Sequence, residues 1–215
     1  DPKYQDMIIM AHPATSGTAY TVLATLIQLK GEDAVWDYLA ELNKNMSQYT
    51  KSGSAAPNGV ALGEAAIALT FSHDGLQPTT EGYPIELSFP TDGTGYEVGA
   101  MALIKGGPAD EQENAKKFID FVCNDATAGV EAVKTSSFFP VHSDWGDVYA
   151  DAEDADLRAP FALMSNYLGR YYNLTGGWTE QRALWWPMLA EILTTGADVQ
   201  TAADNFVSQA NANIG

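Results

Sequence analysis

Cysteine occurs once in the 215 residues, as Cys123. A single thiol cannot close an internal disulfide, so packing and hydrogen bonding must hold the fold. Cys123 lies in an apolar helical stretch with Phe118, Ile119 and Val122, which predicts a buried, inert thiol. Basic residues are scarce too: 11 lysines and arginines stand against 28 aspartates and glutamates, a net charge of −17. A surface of that sign repels phosphate backbones and anionic lipid, so nucleic acid and membrane surfaces are poor partners. Bulk acidity still leaves room for one local anion pocket. No apolar run approaches the ~20 residues of a membrane span, and no signal-peptide pattern opens the chain. His12, His73 and His142 are far apart, so no pair has the helical spacing of a metal motif. The Gly-Lys-Ser/Thr ending of a nucleotide loop is missing, as are a Gly-x-Ser-x-Gly elbow and a cysteine–histidine signature. A hydrolase or transferase would need a nucleophile, a base and an orienting group in one cleft, and no such set is visible.

What is present is a globular composition, 46% apolar, arranged in alternating strand and helix patterns. Residues 7–11 read as a short buried strand and His12–Gly17 as a turn. A helix follows with Tyr20, Leu23, Ala24 and Ile27 on one stripe. Gly31 ends it. A second helix over Asp33–Leu42 directs Val35, Tyr38, Leu39 and Leu42 inward. Met46–Tyr49 predicts a short strand, Lys51–Ser54 a loop, Pro57–Gly63 one or two helical turns, and Ala65–Phe71 a buried strand. Pro84–Phe89 alternates as a strand does, and Val98–Ile104 predicts another. Short links between alternating elements predict an α/β layer with a mostly parallel sheet. Beyond Lys105 the pattern is mainly helical, at Glu111–Asn124, 156–168, 179–194 and 198–211, with a loop-rich stretch over 135–155. A domain boundary is expected between 90 and 105.

The strand–turn–helix over Met7–Leu29 is the strongest local signal for binding. A helix N terminus exposes unpaired N–H groups and a partial positive charge, which suits an anion. Thr15, Ser16 and Thr18 add hydroxyl donors, and Gly17 lets a ligand reach the backbone. The same residues also suit a plain N-cap. Lys51-Ser52-Gly53-Ser54 precedes a second short helical segment and reads either as a similar loop or as a solvated turn. Tyr171-Tyr172 reads as an aromatic pair at a helix end.

At these motifs the chain resembles the type II periplasmic binding proteins, specifically the ferric-iron-type substrate-binding group of ABC importers. The opening DPKYQDMIIMAHPATSGTAY is similar to the start of that family's second lobe. YTKSGSAAPNGVALGEAAIAL is similar to its next loop and strand. GTGYEVGAMALIKGG with AKKFIDFV resembles the crossing back to the first lobe. The resemblance covers about the first 130 residues.

The resemblance implies a type II binding-protein lobe over 1–97, followed by a helix-rich segment, 98–215, that returns to the first lobe. The opening of that first lobe is expected to be missing, and the binding cleft therefore incomplete. It further implies a non-enzymatic receptor, periplasmic or lipoprotein-anchored outside the cell, with an ABC permease as partner and a small molecule or ion as ligand. In iron-binding members the loop matching Thr15–Thr18 holds a helper anion. Their adjacent iron-binding tyrosines match His73-Asp74 here, with Ser72 before them. The tyrosine pair is replaced, so the expected ligand is a small solute with a phosphate, phosphonate or carboxylate group. Ferric iron held through His73 and Asp74 is the alternative, and no resident cofactor is expected. The expected ligand-binding residues are Thr15, Ser16, Gly17, Thr18, Ser52, Ser54, Ser72, His73, Asp74 and Tyr96.

Overall fold

The computed structural model describes residues 1–136 except 14, residues 183–184, 187–188 and 191–192, and residues 195–214. His142, Tyr171-Tyr172, the helical pattern at 156–168 and most of the one at 179–194 lie outside them.

Three parallel strands form the centre: β1 (Ile8–Ala11), β2 (Met46–Thr50) and β3 (Ile67–Leu69), in the order β2-β1-β3. β1 is the middle strand and all four of its residues are buried. A parallel strand covered on both faces has no solvent side, which is why its sequence is an unbroken apolar run. Its pairing with β2 steps over Ser47, so that Ile8 aligns with Met46 and Ile9 with Gln48. The Ser47 hydroxyl donates to the Ile8 carbonyl at 3.0 Å, which keeps that oxygen satisfied at the irregularity.

Helices α1 (Gly17–Lys30), α2 (Glu32–Asn43), α3 (Ala55–Ala61) and α4 (Ser72–Thr80) alternate with the strands. Gly31, at φ 80, allows α1 to turn directly into α2. The core joins Ile8, Met10, Ala11, Ala19 and Met46 with Val22, Leu42, Ile67 and Leu69 around them. Ile9, Val35, Ala56 and Leu76 are fully enclosed. Farther along come α5 (Ala109–Asn124), α6 (Ala126–Ser136) and α7 (Val199–Ile214). Ala202 of α7 meets Leu23 and Met188 in a second cluster flanked by Leu39 and Phe206. The chain thus returns to α1 and α2 near its end. No helix among the described residues is long and apolar enough to cross a membrane.

Four expectations are corrected. Pro84–Phe89 keeps its alternation, with Ile85, Leu87 and Phe89 half-buried and Glu86 and Ser88 exposed, but it forms no strand. Val98–Ile104 is exposed throughout and likewise forms no strand. Apolar sequence does not by itself supply the ladder partner a strand requires, and neither segment has one among the described residues. Tyr38 faces outward at 41% exposure, with the Lys30 ammonium 4.1 Å from its ring centre. Cys123 is exposed. It lies on α5, which buries none of its residues and, among the described residues, packs mainly on α6.

Candidate ligand-binding site

Each of the three parallel strands ends in a loop that opens a helix, so the three loops emerge at the same, carboxyl, end of the sheet. In α/β sheets this is where ligands collect. β1 leads through residues 12–16 into α1, β2 through Lys51–Ser54 into α3, and β3 through Thr70 and Phe71 into α4. Candidate residues that are distant in sequence are therefore brought to one face.

Specific contacts join the loops. The Thr15 hydroxyl donates to the Lys51 carbonyl at 2.7 Å, tying the first loop to the second. A Cβ added at Gly53 would lie 2.7 Å from Thr18 Cβ, so only glycine lets the second loop press against the start of α1. Thr70 Oγ1 lies 3.1 Å from the Gly53 carbonyl, tying the third loop to the second. Ser52 and Ser54 place their hydroxyl oxygens 3.3 Å apart within that middle loop.

The helix starts differ in charge. Ser16 is the N-cap of α1, extended at φ −127 and ψ 128, yet its hydroxyl makes no capping bond. Ser16 is also buried, at 6% exposure. A buried hydroxyl that does not cap its own helix is a group for which a partner is expected. The first turn of α1 carries no acidic side chain, and a Cβ at Gly17 would meet nothing within 4 Å. The first turn of α1 therefore supplies no side-chain negative charge of its own to offset the partial positive charge of the helix start. Lys51 stands exposed in the adjacent loop. At α4 the position is reversed, since Asp74 sits in the first turn and supplies the negative charge itself.

His73 and Asp74 belong to that first turn of α4 rather than to a free loop. Their side chains are only 27% and 17% exposed. The His73 ring stacks on Phe71 at 5.4 Å between ring centres, and its Nε2 lies 3.8 Å from Asp74 Oδ1. Thr70 Oγ1 is 3.3 Å from the other carboxylate oxygen, Oδ2. Ser72 is the first residue of α4. Among the described residues no three histidine, cysteine, aspartate or glutamate side chains gather as metal ligands. Behind the site, Tyr49 donates to Asn43 Oδ1 at 2.6 Å and meets His12 edge-on at 5.7 Å. Burial pushes its hydroxyl up to about 12, so the tyrosine adds no charge at neutral pH.

Tyr96 stands apart from the three loops. The neighbouring Gly95 packs so closely on α1 that a Cβ there would collide with the Thr25 hydroxyl. Thr25 is about two turns beyond Thr18, which sets Tyr96, 37% exposed, beside the helix. Sequence reasoning did not single out Thr70 or the Gly53–Thr18 contact. The only signals for them were a threonine at the end of an apolar run and a glycine between two serines.

The family model for bacterial extracellular solute-binding proteins matches residues 1–166. A Haemophilus influenzae protein, itself described only as uncharacterized, is 46% identical over 121 residues, 56% of this chain and 34% of its own length. The periplasmic binding protein AfuA from Actinobacillus pleuropneumoniae, solved with exogenous fructose-6-phosphate bound, is 41% identical with a TM-score of 0.54. That match covers 63% of this chain and 41% of AfuA. The periplasmic binding protein P5PA is 32% identical with a TM-score of 0.55, covering 71% of this chain and 46% of P5PA. The chain spans less than half the length of each of these relatives.

Proposed function

The chain belongs to the bacterial extracellular solute-binding protein family, and we propose that it forms one wall of the ligand cleft in the substrate-binding component of an ABC importer. The solute we assign is a small molecule with a phosphate-type anion at one end and hydroxyls at the other. The observation that carries this reading is the contrast between the two longer helix starts: α1 opens with a buried, non-capping Ser16 and no acidic residue, whereas α4 opens with Asp74. An anion gains at α1 from backbone N–H groups, the dipole and the hydroxyls of Ser16, Thr18, Ser52 and Ser54, while Thr15 holds the loop through its bond to Lys51. The same anion is repelled at Asp74, which suits a hydroxyl donor. A phosphorylated sugar or polyol meets both requirements. The likeness to AfuA, solved with fructose-6-phosphate bound, supports this class.

In this reading residues 1–97 form the wall, as the second lobe, and 98–215 return toward the first lobe. Closure of the lobes around the solute then presents the receptor to a membrane permease outside the cytoplasm. The receptor makes and breaks no covalent bond.

An amide-resolved NMR titration with fructose-6-phosphate, inorganic phosphate, fructose and ferric citrate tests the assignment. Fructose-6-phosphate should shift the amides of residues 16–18 and 52–54 together with Asp74, and phosphate should shift the first two groups alone. Gly17→Asp should abolish both responses with the fold intact, because a carboxylate in the first turn favours the helix while repelling the anion. Shifts with ferric citrate alone, centred on His73 and Asp74, would replace the solute assignment with iron. Unchanged phosphate binding in Gly17→Asp would remove the α1 site.

A further inference from the structure

We infer that Thr70 is a positioning residue that couples the two ends of the ligand site; this rests on the proposed phosphate-and-hydroxyl reading of that site. Thr70 follows β3 directly and is partly buried. Its Oγ1 lies 3.1 Å from the Gly53 carbonyl and 3.3 Å from Asp74 Oδ2. Both are acceptors, and a hydroxyl has one proton to donate. Thr70 therefore serves the middle loop or the carboxylate at any moment, and holds neither fully while it serves the other.

The two acceptors belong to opposite ends of the site. Gly53 lies in the loop that carries Ser52 and Ser54, and it is pressed against Thr18 at the start of α1. Its carbonyl also accepts the Ala56 N–H at 3.2 Å, so it is part of the turn that opens α3. Asp74 opens α4, where the ligand's hydroxyl end is assigned. A ligand hydroxyl donating to Asp74 takes over the role of Thr70 there. The Thr70 proton then goes to Gly53 and firms the loop around the anion. Occupation of one end thus improves the other, and a ligand that has only the anion draws no such benefit. Thr70 would distinguish a phosphorylated polyol from free phosphate without touching either.

The test compares Thr70→Val and Thr70→Ser by calorimetry with fructose-6-phosphate and inorganic phosphate. Valine keeps the shape and removes the proton; serine keeps the proton. Loss of one such hydrogen bond corresponds to about three- to tenfold in affinity. Thr70→Val should weaken fructose-6-phosphate by about that factor and phosphate by less, and Thr70→Ser should restore the ratio. An equal loss for both ligands, or none, overturns the coupling. A ligand-free measurement separates this failure from failure of the ligand assignment. In the otherwise unaltered chain Asp74→Ala should move the Gly53 carbonyl carbon resonance, as the proton passes wholly to Gly53. In a Thr70→Val background the same change should leave it in place. If neither ligand binds but this pattern holds, the ligand class is wrong and the coupling stands; a shift that persists in Thr70→Val overturns the coupling.

Discussion

The stretch Ala65-Ala66-Ile67-Ala68-Leu69 and the stretch Val98–Ile104 have similar apolar content but opposite fates. The first delivers β3 to the sheet, where Ile67 and Leu69 pack on the core around β1. The second is exposed along its length, with Val98 at 45%, Met101 at 43% and Ile104 at 78%. The same contrast extends to the helices. Val35 of α2 and Leu76 of α4 are fully buried, whereas Phe118 and Phe121 of α5 are more than half exposed. Apolar sequence thus joins a core only where the topology supplies elements for it to pack against. Over residues 1–80 the strand–helix alternation does so, and over residues 96–124 little among the described residues does.

The largest expected effect tests that contrast directly. Ile9 is at 0% exposure, with its Cδ1 against Gly59, where an added Cβ would lie 2.7 Å away. Ile9→Ala should cost about 2–5 kcal/mol of stability, the range for emptying a closed core position. Ile104→Ala should stay within about 0.5 kcal/mol, as for an exposed site. Urea unfolding of both variants measures the difference. A comparable loss at Ile104 would mean that the segment is covered in solution and would erase the distinction between the regions.

A second, smaller effect separates two glycines within the candidate site. An added methyl at Gly53 meets Thr18, whereas one at Gly17 meets nothing within 4 Å. Gly53→Ala should cost about 1–3 kcal/mol through overpacking. Gly17 has no positive φ, so Gly17→Ala should be neutral or stabilise by up to about 1 kcal/mol. Thermal unfolding of the pair checks this, and equal melting temperatures would show that the loops are not pressed together.

How far the sequence was legible follows the same division. α1 and α2 were readable from an apolar stripe at helical spacing, β1 and β3 from short continuous apolar runs, and β2 and α3 from segment length between turn residues. α4 was not, since Gly75 and Pro78 in Ser72–Thr80 argue against a helix. It forms because Leu76 is fully enclosed and Gly75 fits against Leu87, where a Cβ would lie 2.6 Å from Cδ2. Both facts are tertiary. In the site, each loop could be noted separately from its hydroxyls and glycines. Their convergence depended on strand order and on single contacts such as Thr15 to Lys51 and Thr70 to Gly53, which leave no local pattern.

Tyr49 gives a pH test of the enclosed region. Its pKa is raised by burial to about 12, above the ordinary value near 10. The folded state therefore holds the proton more tightly than the unfolded state. That contribution to stability is complete below about pH 10 and disappears as the pH rises to about 12. Tyr49→Phe cannot titrate, so the fall in stability over this interval should be shallower in the variant. Denaturant unfolding from pH 9 to 12 measures it, and parallel curves for the two proteins would contradict burial of the hydroxyl.

The smallest expected effect lies at the start of α7, where the chain returns to α1 and α2. Asp198 Oδ1 accepts from the Thr201 hydroxyl at 2.7 Å and from the Thr201 N–H at 2.8 Å. These bonds, the hydroxyl's first and the backbone's second, hold the carboxyl below its usual value. Because the folded pKa is depressed, the contribution to stability is present above the unfolded value, near 3.9. It is lost as the pH falls through the lower, folded value. The carboxylate is fully exposed, so the whole fold should scarcely respond. The first turn of α7 should fray instead. Hydrogen exchange should then show declining protection at Thr201 and Ala202 as the pH drops below the ordinary aspartate range, relative to amides in β1. Asn caps about as well as Asp but does not titrate there. Asp198→Asn should therefore keep the protection and remove its pH dependence. If the acid-induced loss persists unchanged in Asp198→Asn, another group controls the end of the helix.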